Sequence, residues 1–168
     1  MSEPAATRPG AAPGSSDWEI RGAAPGDAAA VAAAVEALLL ELGGRRPSRP
    51  ALEAEARALV EDPAQGSVLV ADAGGELVGV LAASWLRAIH VPGRYLVIED
   101  LWVDPAWRSA GVGAGLVEAL VDLARAEGAV RLEVGLPRET FAAIAKTEAF
   151  YGANGFEHLG PRMRRLLE

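Results

Sequence analysis

Ile98-Glu99-Asp100-Leu101-Trp102-Val103-Asp104-Pro105-Ala106-Trp107-Arg108-Ser109-Ala110-Gly111-Val112-Gly113-Ala114 reads as a buried strand that enters a glycine-containing turn and then a helix. That order leaves free backbone N–H groups and the positive end of a helix where a phosphate can sit. Two acids, Glu99 and Asp100, stand a few residues upstream on the strand. One short segment thus offers an anion cradle and a candidate base.

The flanking sequence sets this segment in a mixed α/β domain. Residues 1–16, rich in Pro, Ala, Gly and Ser, are expected to be a disordered tail, with one domain over 17–168. Trp18 to Arg21 alternates as a first strand, and Pro25-Gly26-Asp27 opens an Ala/Leu-rich helix that stops at Gly43-Gly44. A second helix is expected over about Pro50 to Glu61. Ser67 to Ala71 and Leu77 to Trp85 read as strands joined by a turn at Ala73-Gly74-Gly75. Arg87 to Arg94, with Pro92-Gly93, reads as a loop before a strand over Tyr95 to Val103.

Gly111 to Glu127 follows as a helix with Leu116, Leu120 and Leu123 on one stripe. Val130 to Leu136 reads as a strand, and a helix is expected from Pro137 to about Ala153. Short strands at Phe156 to Leu159 and Arg162 to Leu167 complete the pattern. A hairpin-rich front half and a β-α-β unit in the second half predict a mixed, mostly antiparallel sheet with helices on its faces.

Composition narrows the function. The net charge of −7 disfavours nucleic-acid binding, which needs a basic face, and suits a cationic substrate. The absence of cysteine excludes disulfides, a thiolate nucleophile and Cys-ligated metals. Two histidines, His90 and His158, are too few for a spaced metal motif, so no metal is expected. The longest apolar stretch, Val31 to Leu40, is too short to span a bilayer. Without a secretory signal pattern, a cytoplasmic location and no membrane partner are expected.

Three cofactor classes compete for the glycine turn. A Walker-type loop needs Gly-Lys-Ser/Thr, which is missing. In a dinucleotide fingerprint, Leu116 falls where close helix packing requires a small residue. The third class is indicated by a resemblance. Arg108-Ser109-Ala110-Gly111-Val112-Gly113-Ala114, entered through Val103-Asp104-Pro105, is similar to the R/Q-x-x-G-x-G/A loop of the GCN5-related N-acetyltransferases. Phe150-Tyr151-Gly152-Ala153-Asn154-Gly155-Phe156 is similar to that family's F-Y-x-x-x-G-F element. The resemblance runs over about residues 18 to 168.

It implies the acyl-CoA N-acyltransferase fold, with a splayed central strand pair, and acetyl-CoA as co-substrate. Amides of Arg108, Ser109, Ala110, Gly111, Val112, Gly113 and Ala114 would hold the pyrophosphate. The backbone of Leu101, Trp102 and Val103 would pair with the pantetheine arm. Many members carry Asn seven residues before the Tyr, where this chain has Ile144, so that contact is not carried over. Members of this fold often pair as homodimers.

For the chemistry, Glu99 is the candidate base. Glu99-Asp100-Leu101-Trp102-Val103 is similar to the E-D-aromatic-aromatic-V strand of polyamine-type members, whose Glu acts as base through water. Regular alternation groups Glu99 with Val97 and Leu101, and Asp100 with Ile98 and Trp102. A bulge, common there in this family, would change that parity, so sequence leaves open which acid faces the acceptor. Tyr151 is the candidate acid, a phenol of pKa ~10 able to protonate a leaving thiolate.

Glu36 and Glu41 lie on the first helix, which in this family borders the acceptor, and either attract a cation or form a solvated face. The expectation is direct acetyl transfer to a small primary amine such as a polyamine, an aminoglycoside or an amino-acid-like amine. The competing readings are a non-catalytic acyl-CoA-binding module and a protein lysine or N-terminal acetyltransferase.

Overall fold

The computed structural model describes residues 18–165, so the expected tail over 1–16 lies outside the described residues. Strand β1 (Glu19–Gly22) leads through a 3-10 turn (Pro25–Asp27) into helix α1 (Ala28–Leu42). Helix α2 (Arg49–Glu61) follows, its first turn capped by Ser48 Oγ, which accepts from the Ala51 amide at 3.4 Å. Strands β2 (Gly66–Ala73), β3 (Glu76–Ala88) and β4 (Val91–Val103) then form an antiparallel meander. The β2–β3 turn needs Gly74 and Gly75 because both have positive φ, +69° and +97°. Helix α3 (Val112–Ala126), strand β5 (Leu132–Val134) and helix α4 (Ile144–Ala153) complete the order.

The five strands lie in sequence order, β1-β2-β3-β4-β5, and only β4 with β5 is parallel. Strand alternation sends side chains to two cores. On one face Leu69, Leu81, Leu96 and Ile98 meet Val112, Leu116, Val117 and Leu120 of α3, with Tyr151 of α4. On the other, Val68, Val70, Val80 and Ala82 meet Val31 and Ala34 of α1, with Leu59 and Val60 of α2 beside them. Burial of each such aliphatic side chain contributes about 1.5–3 kcal/mol, so the two faces hold the helices to the sheet. The α3 stripe centres on Leu116 and Leu120 as expected, with Val112 and Val117 joining it.

Four sequence expectations are corrected. Arg87 to Arg94 is not a loop: β3 and β4 meet at Ile89-His90, and Pro92-Gly93 lies inside β4. Gly93, at φ +117°, serves a close approach, since a Cβ there would meet Val130 Cγ1 at 2.7 Å. The strand expected over Val130 to Leu136 shrinks to β5, whose ladder with β4 ends at the Ile98↔Val134 pair. The helix expected from Pro137 starts only at Ile144. Before it the chain closes successive turns, Phe141 N to Arg138 O and Ile144 N to Phe141 O. No strand forms over 156–165: Leu159 and Met163 are exposed there, with no apolar face to alternate against. The end of the second of these expected strands lies outside the described residues.

Candidate active site

Strand β4 changes partners halfway along. Its parallel pairing with β5 covers Leu96↔Leu132, Val97↔Glu133 and Ile98↔Val134, and then stops, while β4 runs on to Val103. The central pair is therefore splayed, and the gap opens beside Glu99 to Val103. On its other edge β4 is paired with β3 along its length, with two register shifts, one near the β3–β4 turn between Leu86 and Ala88 and one at the gap, where Ala83 faces Ile98 but Ala82 faces Asp100. Glu99 is the extra residue of a bulge.

The bulge settles the parity that sequence left open. Beyond it, Leu101 and Val103 pack with Ile98 on the α3 face, while Trp102 packs with Ala82 and Val80 on the α1/α2 face. Glu99 and Asp100 both open onto a cavity of about 590 Å³ on that second face. Val31, Val35, Leu52, Glu55 and Leu59 form its helix wall. Glu99 is exposed at the mouth and Asp100 is half-buried. Burial, and next the charge of Glu99, push the Asp100 carboxyl above the usual carboxylate range.

Backbone direction follows from the ladder. Asp104 N donates to Val78 O at 2.9 Å, so in this register the N–H and C=O of Trp102 turn toward Val80. Those of Leu101 and Val103 turn to the open edge. Both backbone groups of Leu101 and the N–H of Val103 are open to an extended arm in the gap, the Val103 carbonyl being taken by Arg108 Nε; the Trp102 backbone is already committed to β3. The Trp102 indole Nε1 is buried without a partner on the opposite face.

The turn after β4 is shaped to expose amides. Ser109 and Gly111 both take positive φ, +70° and +83°. Gly111 caps α3 without any side-chain acceptor, so the first-turn N–H groups of Val112, Gly113 and Ala114 stay free. Gly113 allows the helix start to sit close: a Cβ would meet the Phe150 ring at 3.3 Å and Val103 Cγ2 at 3.6 Å. A diphosphate fits these donors and this helix end.

The Arg108 side chain is engaged within the protein. Its Nε donates to Val103 O at 3.0 Å, and its Nη2 pairs with Glu41 Oε1 of α1 at 2.5 Å. It braces the end of β4 against α1. Of the two α1 acids, Glu41 is thus held by Arg108 and Glu36 by Arg49. Sequence reading passed over Glu55. Its signal was the Leu52-Glu55-Ala56-Leu59 spacing, which puts it beside the apolar stripe of α2.

Tyr151 comes from α4, on the α3 side of the sheet, only 8% exposed. Its ring sits edge-on between Phe150 and Phe156, with centroids at 5.1 and 5.4 Å. Burial pushes its phenol up to about 12. The gap between β4 and β5 therefore has carboxylates on one face of the sheet and a phenol among the residues of the other.

Residues 32–156 match the model of the acetyltransferase (GNAT) family. The chain belongs to that family. The GNAT relatives include the N-alpha-acetyltransferase RimI of Mycobacterium tuberculosis, 34% identical over 56% of this chain and 54% of its own length. A solved structure described as a possible acetyltransferase from Clostridium difficile 630 superposes with a TM-score of 0.77 at 20% identity, covering 90% of this chain and 97% of that one. An aminoglycoside acetyltransferase from an uncultured soil metagenomic sample gives a TM-score of 0.71 at 24% identity, covering 90% and 99%. The matched stretch spans 20%, 54% and 60% of the lengths of three curated relatives. GNAT membership accounts for the splayed β4–β5 pair and the uncapped start of α3 together.

Proposed function

We propose that this chain is an N-acetyltransferase that moves an acetyl group from acetyl-CoA directly to the primary amine of a small molecule. The observation that carries the reading is the opening of β4 from β5 beyond Ile98 and Val134, next to the unpaired amides of Val112, Gly113 and Ala114. The amides and helix end hold the diphosphate, and the Leu101 carbonyl and Val103 N–H pair with the arm. Bound there, acetyl-CoA supplies an acetyl thioester, whose C–S bond breaks as the C–N bond to the amine forms.

The chain's own groups manage protons. An amine at neutral pH arrives as an ammonium and must lose a proton before its nitrogen can attack. The Asp100 carboxylate, half-buried, holds the ammonium in the cavity. Glu99, exposed at the bulge, takes its proton through water and exchanges it with solvent. On the opposite face, Tyr151 keeps its proton at Oη through the neutral range, because burial disfavours the phenolate, and donates it to the departing sulfur. The polariser of the thioester carbonyl is a backbone N–H on the open edge of β4, that of Leu101, the open-edge residue beside the acids.

A second reading, acetylation of a protein N-terminus, is favoured by the 34% identity to RimI. The two separate in one assay. Thiol release from acetyl-CoA is followed with small amines in one series and with short peptides bearing free N-termini in another. Turnover confined to the peptides would replace the small-amine reading.

A further inference from the structure

The acids of the cavity differ from those around it. Of the other acids on α1 and α2, Glu36, Glu41 and Glu53 each have an arginine, Arg49, Arg108 and Arg57, and Glu61, at the end of α2 and outside the cavity lining, has no ion pair among the described residues. Glu55, Glu99 and Asp100, which line the cavity, have no ion pair among the described residues. No Lys, Arg or His lines it. Arg94, which stacks on the lining residue Trp85 at 4.2 Å, is held by Glu127 at 3.5 Å. The cavity therefore has uncompensated negative charge on two walls: Glu99 and Asp100 on the sheet, Glu55 on α2. Between them the surface is aliphatic, with Val31, Leu52, Leu59 and Ala82.

Resting on the acetyltransferase reading, we propose that the acceptor is a diamine with an apolar spacer. One amine reacts at Glu99 and Asp100, and the second, as an ammonium, is received by Glu55. An acceptor bearing a carboxylate meets three like charges and is rejected. A polyhydroxylated amine leaves its hydroxyls facing aliphatic walls, with Ser84 and Gln65 as the neutral polar side chains there. A diamine satisfies all three acids and covers the apolar strip with its methylenes.

The test compares cadaverine with pentylamine, which share a spacer and differ by one charge, using the full chain, acetyl-CoA and a thiol-release readout. The expected result is a kcat/KM for cadaverine about fivefold or more above that for pentylamine, the scale of one partly solvated ion pair. Glu55→Gln brings that ratio toward one, while Glu53→Gln, whose residue faces Arg57, leaves it intact. Equal kcat/KM for the two amines, or a ratio that survives Glu55→Gln, overturns the diamine proposal and leaves the acetyltransferase reading standing. No thiol release with any amine or peptide overturns both.

Discussion

Arg108 and Glu41 form an ion pair at 2.5 Å that joins the turn after β4 to the last turn of α1. The same guanidinium donates to the Val103 carbonyl at 3.0 Å. The pair therefore ties a wall of the acceptor side to the strand that carries the open edge. Arg108→Ala removes both contacts, and the KM for acetyl-CoA is expected to rise roughly fivefold, the scale of about 1 kcal/mol for a half-exposed pair. Arg108→Lys is expected not to restore it, because a single ammonium lacks the forked donors that reach both acceptors. Steady-state kinetics checks this, and full recovery by Lys would show that only charge matters.

Tyr151→Phe keeps the edge-on packing between Phe150 and Phe156 and removes only the hydroxyl. The melting temperature and acetyl-CoA binding should change little, and kcat should fall about 100-fold, a usual share for a general acid. The phenol pushed up to about 12 also means that wild-type activity shows no alkaline fall from this group between pH 7 and 10. Unchanged kcat in the Phe variant would remove Tyr151 from the chemistry.

Asp100 couples function to stability. Its folded-state pKa is raised above the ordinary 3.8, mainly by burial and then by Glu99, so the folded state binds its proton more tightly than the unfolded chain does. Its stabilising contribution is fully present below pH 3.8 and is lost as pH rises through the raised value. At neutral pH the charged carboxylate is a cost to the fold. Asp100→Asn should then raise the melting temperature at pH 7 while weakening turnover, and the thermal gain should vanish as pH falls below 3.8. A variant less stable than wild type at pH 7 would contradict this sign.

Gly111 holds φ +83° with open space around its α-carbon, so a methyl group there meets no neighbour but strains the backbone. Gly111→Ala should cost about 1–2 kcal/mol in denaturant unfolding, the cost of a left-handed L-residue. Acetyl-CoA affinity should fall as well, because the amides after it move. A stable variant with unchanged affinity would mean that the loop does not hold the diphosphate.

Much of this was legible in the residues. The Gly111-Val112-Gly113 turn and the Phe150-Tyr151 pair are local chemistry, and the structure brings them into contact through the Phe150 ring against Gly113. Parity at Glu99 and Asp100 was not legible, because a bulge depends on the register of β3 against β4 and no residue type in β4 encodes it alone. Pro92-Gly93 misled for a related reason: its glycine answers to Val130, far along the chain. The ion pairs of Glu36 and Glu41, and the freedom of Glu55, depend on how α1, α2 and the β4 turn pack, which helix periodicity does not reveal.

The most direct test is to incubate the full chain with acetyl-CoA and a panel of primary amines, measuring free thiol and acetylated amine together. Thiol is expected to appear in step with N-acetylated product, at a rate that depends on the amine. Saturable acetyl-CoA binding with no amine-dependent thiol release would contradict the acetyltransferase reading and make the chain an acyl-CoA-binding module instead.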